Sequence, residues 1–480
     1  MNRLEVSLER LRSARGAARR LLLCLGLASL GAVPGALASD DGLRSDATPY
    51  GSVPTPYLFP ALSKGAQGGA QFAQASSPTQ TNVAQRQIER GQTVRGRPRP
   101  DYDPQGLPVG GFTLFPQMVV APLFDDNVFR SEDNTAADIV TVLSPSVNLE
   151  SNWSRHALNF GAGADIGLYF DNDDENFEDY RFNADGRLDV TRDTVLRLSG
   201  GFAHLHQGRG DPDDPAGALE PTQYDRYNAL LRASHRMGRF TGILSGGVTR
   251  LDYEDVPRRG GGPKINNDDR DNIRYDVSGQ VNYEIVPSYD AFVRVGADWT
   301  DFDDSLDDAG FNRDNNGYVG VAGVEIDFGG IVFGDFFAGY MYNERDDSRL
   351  DNIDGFNLGA DITWNVTRLT TITGTAEREI RNTTLGGSGS IATTVGLQVD
   401  HELLRNLIVS LNASGQQNDF EGDIDRTDYN IIGGISVDYF INRYFFVGAL
   451  YEHRERLSSG DDEGGEFSVN IAGVRAGAQF

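Results

Sequence analysis

From about residue 112 to its end the chain repeats one pattern, apolar and polar side chains alternating along extended runs that are broken at regular intervals. The stretch "NIRYDVSGQVNYEI" puts Ile273, Tyr275, Val277, Gly279, Val281, Tyr283 and Ile285 on one side. Arg274, Asp276, Ser278, Gln280, Asn282 and Glu284 fall on the other. A period of two is the signature of a strand with two unlike faces. In "YRFNADGRLDV" the set Tyr180, Phe182, Ala184, Gly186, Leu188 and Val190 alternates in the same way with Arg181, Asn183, Asp185, Arg187 and Asp189. Eighteen such segments follow one another, from Thr113–Phe124 to Glu466–Phe480. In a soluble protein so many strands require stacked sheets with one face of each in water. A sheet closed on itself needs no second layer, because lipid takes the apolar side and a wet lumen the polar side.

The breaks decide between the two. Long acidic connections such as "DNDDENFED", "QGRGDPDDPAGALEPT", "DVPRRGGGPKINNDDRD" and "DDSLDDAGFNRDN" alternate with short ones such as "NWSRH", "TRDT", "RMGR", "PS" and "INR". An outer-membrane barrel sorts its connections by parity, with long outer loops and tight periplasmic turns. A sandwich has no reason to. Aromatic residues gather near strand ends (Tyr169, Phe170, Tyr253, Tyr283, Trp299, Tyr340, Tyr342, Trp364, Tyr439 and Tyr451), where amphipathic rings suit the headgroup level.

The first 38 residues read as a cleaved secretory signal. Six arginines precede the apolar run "LLLCLGLASLGAV" and the small-residue site "ALAS". The run Leu21 to Val33 is 13 residues, short of the roughly 20 that a helical span needs. Cys24, the only cysteine, lies inside this segment, behind Leu23 rather than the small residue a lipid anchor requires. Residues 39–111, rich in Pro, Gln, Ser and Gly, read as a disordered periplasmic arm. Its end, "RQIERGQTVRGRPRP", concentrates arginine. This end is a solvated linker or docks on an acidic surface such as the barrel's own periplasmic mouth. The formal charge of −27 makes nucleic acid a poor partner.

The run from Leu123 to Leu158 resembles the opening of the Putative beta-barrel porin 2 family of Gram-negative bacteria. Phe124, Asp125, Asp126 and Asn127 head it, and Trp153, Arg155 and His156 close it. The sharp motif is confined to the first three strands, while the architecture extends the likeness to the end of the chain. The resemblance implies an outer-membrane protein associated with exopolysaccharide export, partnered by a periplasmic polysaccharide-export protein. The terminal "VRAGAQF", with Val474, Ala476, Ala478 and Phe480 at alternate positions, resembles the signal by which the barrel-assembly machinery recognises such chains. Phe467, Val469 and Ile471 have the opposite parity, which a bulge near Ala472 would reconcile.

Catalysis and cofactors find little footing. His204 and His206 share a face beside "GRGDPDDP", where an Asp/His pair could activate water, but interfacial histidines are the simpler reading. "DFDDSLDDAGF" lacks the glycine and glutamate of an EF-hand loop. No metal, cofactor or enzymatic activity is therefore expected. Loose divalent-ion bridging from the acidic loops to lipopolysaccharide is the weaker alternative to plain solvation.

The expected fold is an all-β transmembrane barrel of about eighteen antiparallel strands over residues 112–480, placed in the outer membrane. Its lumen is expected to be lined by Arg181, Asp185, Arg187, Asp189, Arg274, Asp276, Gln280, Glu284, Arg294, Asp298, Glu325, Asp361, Glu377, Gln398 and Asp438. Three functions share this wall: a conduit for exported polysaccharide, a diffusion porin for small hydrophilic solutes, and a closed barrel serving as receptor or scaffold. For a porin, Asp255 to Asp271 is the candidate constriction loop, its "RRGGGPK" either charging the constriction or forming an exposed tip.

Overall fold

A computed structural model describes residues 92–480 except 134, 212, 216, 384–386 and 463. The signal segment and the arm as far as residue 91 lie outside the described residues.

After a short strand β1 (Leu107–Val109), eighteen strands form the wall. They are β2 (Phe112–Asp125), β3 (Asp138–Ser151), β4 (Ala157–Tyr169), β5 (Phe177–Asp189), β6 (Thr194–His206), β7 (Gln223–Met237), β8 (Phe240–Tyr253), β9 (Asn272–Val286) and β10 (Tyr289–Phe302). Next come β11 (Asn315–Asp327), β12 (Val332–Arg345), β13 (Ile353–Thr367), β14 (Thr370–Arg381) and β15 (Gly389–Leu404). The wall ends with β16 (Leu407–Glu421), β17 (Thr427–Phe440), β18 (Phe445–Ser459) and β19 (Phe467–Gln479). Each pairs antiparallel with the next, and β19 pairs with β2, so the sheet closes. Closure satisfies every strand edge inside the hydrocarbon, where water cannot.

The ladder is interrupted at two proline sites. Pairing of β19 with β2 skips Val474 and Arg475, opposite Pro122 and Ala121, and pairing of β3 with β4 skips Ser144 and Pro145. A proline has no N–H to give its neighbour. Several strands run past the expected ends, β13 and β15 most of all, because hydrogen bonding continues beyond the membrane. β1, which the sequence places in the arm, pairs with β2.

Outward positions carry the apolar band. Phe182, Leu198, Leu231, Leu244, Val281, Val293, Val295, Phe356 and Val395 are all exposed, as lipid-facing side chains must be in a barrel without its bilayer. Tyr283, Trp364, Tyr439, Tyr444 and Phe480 are exposed towards the short-turn end, and Phe170, Tyr180, Tyr340 and Phe356 towards the long-loop end. Two of the expected girdle residues turn inward instead. Tyr253 stacks on the buried Tyr224 at 5.1 Å, and Tyr169 packs on an interior apolar cluster. Both are the last residues of their strands at the long-loop end and have lumen parity.

The expected bulge near Ala472 is absent, since the registers of β19 with β18 and with β2 run through that position without a shift. Phe467, Val469 and Ile471 simply face inward.

Replacing Val295, exposed in mid-strand, with arginine should cost about 2 to 4 kcal/mol if the site lies near the bilayer midplane. Denaturant refolding into lipid vesicles would measure that loss.

Candidate functional site

The inner wall is built by the residues that alternate with the lipid-facing set, and all fifteen expected lumen residues stand on it. Many are paired across or along strands. Arg181 meets Asp165 at 2.8 Å, Arg187 meets Asp189 at 3.2 Å, Arg274 meets Asp298 at 3.0 Å and Glu284 meets Arg236 at 2.9 Å. Asp185 accepts from Asn183 Nδ2, Gln280 donates to Asn282 and Gln398 to Asp400. Asp276 lies over Gly247, Arg294 over the Phe337 ring at 4.9 Å, and Glu377 stands opposite Gly359 and Thr394. Asp438 is fully buried against Arg475 Nε at 3.1 Å.

Register gathers some of these into one feature. Glu284 on β9 is opposite Asp290 on β10, which is opposite Glu325 on β11, then Asp335 on β12 and Asp361 on β13. Five carboxylates thus form a row across five adjacent strands near the short-turn end. Asp290 and Asp335 were missing from the expected set. Both have lumen parity, and only cross-strand register shows that they complete the row.

The inner face is not uniformly polar. Phe177, Phe292, Phe337 and Phe446 each lie directly opposite a glycine, Gly167, Gly323, Gly359 and Gly477, whose added Cβ would collide with the ring. At the long-loop end Ala121, Leu123, Val140, Val142, Phe177, Phe467, Val469 and Ile471 make an apolar patch on the inner wall of β2, β3, β5 and β19. The inward parity of the last strand serves this patch.

The connection 207–222 between β6 and β7 lies on that patch. Gly210 packs against the Phe467 ring, and its carbonyl accepts from Arg456 of β18 at 3.4 Å. Arg209 holds Glu175, from the β4–β5 connection, through Nε at 2.8 Å and Nη2 at 2.7 Å. From the other side the upper end of β14 parts from β13, and Asn382 and Gly387 of the β14–β15 connection reach β12 and the β10–β11 connection. Arg313 donates to the Gly387 carbonyl at 2.6 Å, and Arg345 to Asn382 at 2.8 Å. The two elements meet, with Thr383 Oγ1 donating to Asp213 at 2.8 Å. Connections eight strands apart in an eighteen-strand wall therefore bridge the outer mouth.

The candidate constriction loop shares the outer mouth with this bridge but is not the element seated on the apolar patch. Residues 255–271 form a small hairpin, closed by the bridge between Val256 and Ile265, that backs the 207–222 connection through Leu219 and Pro257. Its tip, Arg258 to Lys264, is exposed, yet Arg259 stacks over Phe129 of the β2–β3 connection at 4.6 Å and stands 3.6 Å from Glu175. Length alone pointed to this loop, but the apolar seat for an inward loop lies under 207–222.

Burial beside other carboxylates pushes Asp211 up to about 7 and Asp214 up to about 6. Asp213 and Asp214 add like charge to Asp211, Arg270 opposes it, and Tyr224 and Tyr253 stand nearby.

At the short-turn end, periplasmic in such barrels, residues 93–103 lie inside the mouth instead of forming a disordered arm. Val94 is completely buried with Ile408, Phe440 and Phe446, and its N–H donates to Thr371 Oγ1 at 2.9 Å. Arg95 meets Asp400 at 2.8 Å and Asp438 at 3.5 Å, and donates to Ser410 at 2.7 Å. Arg97 and Arg99 each reach Glu402 at 3.2 Å. The arginine run was visible in the sequence, but its three carboxylate partners lie some 300 residues away.

The remaining singled-out residues shape the wall. Asp125 is buried and clasps Arg130 at 2.8 and 2.9 Å, Asp126 accepts from Asn470 N and Nδ2, and Asn127 donates to the Ser468 carbonyl. The three tie the first outer loop to the last strand. Phe124 faces lipid, Trp153 packs edge-on to Phe112 at 5.4 Å, and Arg155 and His156 bind Asp189 and Val190 of the next turn. Val474, Ala476, Ala478 and Phe480 share the lipid side of β19. His204 and His206 are not a pair. His204 binds Asp225 at 2.7 Å and stacks on Tyr180, while His206 turns in to Asp179 at 2.8 Å and stacks on Phe177. Among the described residues no group of three His, Cys, Asp or Glu side chains is placed to hold a metal.

The chain is similar to several solved structures. The outer membrane protein opdK of Pseudomonas aeruginosa is 10% identical with a TM-score of 0.40, covering 76% of this chain and 99% of that one. OccK3 (OpdO) of Pseudomonas aeruginosa is 13% identical at 0.38, covering 76% and 95%. The copper transporter OprC is 10% identical at 0.44, covering 78% and 82%. No curated protein matches the sequence. The model of one family, described as Putative beta-barrel porin 2, matches residues 99–480. That match takes in the whole eighteen-strand wall and the end of the docked arm, and the chain belongs to this family of outer-membrane barrels.

Proposed function

We propose that the protein is an outer-membrane pore for small hydrophilic solutes, with a preference for cations, and that it acts as a channel rather than an enzyme. The observation that carries this reading is the bridge at the outer mouth. Asp213 and Thr383 join two inward-leaning connections, and a mouth divided in this way leaves openings suited to small solutes. The exopolysaccharide conduit implied by the family resemblance fits less well, because a polymer needs one continuous opening through which to thread. The row Glu284, Asp290, Glu325, Asp335 and Asp361 supports the cation preference, since a ring or row of carboxylates lowers the electrostatic barrier to cations and raises it for anions. Glu284 of the row is itself paired with Arg236, and the mixed charges elsewhere on the wall supply hydrogen-bonding groups without a deep well.

Asp335→Lys and Glu325→Lys in the full-length protein should each move the reversal potential in a planar bilayer under a KCl gradient towards anion selectivity, with the barrel still folded. Unchanged selectivity in both would remove the row from the conduction path. Uptake of small solutes by a deletion strain decides the larger question: lost uptake with intact surface polymer supports the porin, and lost polymer with intact uptake defeats it.

The bridge also predicts a pH dependence. The raised values of Asp211 and Asp214 mean that the inward loop holds protons more tightly than the same loop in water. Its inward placement is therefore strongest at acid pH and weakens as pH rises through about 6 to 7. Conductance should rise over that window. The double variant Asp211→Asn/Asp214→Asn should keep conductance near its acid value throughout, which single-channel recordings against pH would check.

A further inference from the structure

The docked segment 93–103 uses more binding groups than a linker needs. Its three arginines face three carboxylates whose side chains are 8%, 5% and 0% exposed, Asp400, Glu402 and Asp438. These stand on β15 and β17, with Ser410 of β16 between them, and an apolar slot of Ile408, Phe440 and Phe446 takes Val94. Further along, the Tyr102 carbonyl accepts from Gln479 of the last strand. Removing one partner of a buried, hydrogen-bonded ion pair leaves the other charge desolvated and unmatched, so this groove is specified for a basic occupant. The occupant is also covalently continuous with β1, which pairs with β2. It therefore runs from the first strand of the wall to the inner face of the last six and spans the β19–β2 seam from inside. That seam is the one whose ladder Pro122 interrupts.

We propose that the Asp400–Glu402–Asp438 groove is a docking site for the chain's own basic segment 93–103, and that its occupancy sets the bore of the periplasmic mouth. With the segment docked, its backbone and three guanidinium groups take up part of the cross-section at this level and neutralise the wall. With the segment released, the mouth widens and Asp400 and Glu402 lose its guanidinium groups, while Asp438 keeps Arg475. The control acts at the opposite end from the outer bridge and works through charge pairing rather than burial of acids.

The test uses the full-length protein, Glu402→Gln and the double variant Arg97→Gln/Arg99→Gln, with Arg192→Gln, an exposed residue of the short β5–β6 turn away from the groove, as control. Heat-modified gel mobility establishes that each barrel is folded. Arg97 and Arg99 precede Pro98 and Pro100, bonds that trypsin leaves intact, so cleavage in this segment reads the Arg95–Gly96 bond. Cleavage should be slow in the parent and control and faster by about tenfold or more in both groove variants, in proportion to the released population. Single-channel conductance should rise in the same two variants. Equal cleavage rates in parent and variants would overturn the docking, and faster cleavage with unchanged conductance would overturn control of the bore. The conductance arm rests on the pore reading, whereas the cleavage arm does not. If neither the parent nor any variant conducts, the pore reading fails and takes control of the bore with it, and the cleavage rates still decide the docking.

Discussion

The structure depends on one constraint: a sheet placed in hydrocarbon cannot leave an edge. Eighteen strands satisfy it only by bringing the last back to the first, and that junction is the longest-range contact in the wall. It is also locally the weakest, because Pro122 has no N–H to donate there. The chain reinforces the junction at both ends. Above, Asp126 and Asn127 bind the backbone and side chain of β19. Below, Phe480 N–H donates to the Pro116 carbonyl and Gln479 holds Tyr102. Within the run Phe124 to Asn127, Asp126 and Asn127 thus hold the last strand, while Asp125 fixes Arg130 of the first outer loop.

Closure has a consequence for the interior. Once lipid takes every outward position, anything that would narrow the lumen must be held by inward side chains alone. The barrel meets this with two chemistries. Apolar inner residues seat the 207–222 connection and let a loop rest against the wall without leaving its own apolar groups wet. Carboxylates seat the arginine segment at the other mouth. The mid-barrel between them keeps mixed charges in short pairs such as Arg274 with Asp298. The arrangement lines the centre with ion pairs while each end holds a docked segment.

Much of this was legible in the residues. Alternation such as that from Asn272 to Ile285 assigns each side chain to lipid or lumen, because a strand offers two faces and only the lipid face tolerates an unbroken apolar set. The parity of loop lengths orients the barrel, and the acidity of the inner set follows from the same alternation. These are local properties, read within one strand and its two connections.

What tertiary structure decided is what lies opposite what. Asp290 and Asp335 look unremarkable along the chain and become parts of a five-strand row only through register. Phe467, Val469 and Ile471 look like a parity error until Leu123, Val140 and the 207–222 loop are placed against them. The longest loop proved to back the 207–222 connection, and an arginine tail found partners at Asp400, Glu402 and Asp438. Periodicity is carried by neighbours along the chain, so the sequence by itself determined the faces. Pairing across a closed barrel joins residues hundreds of positions apart, and only the completed ring determines which of them meet.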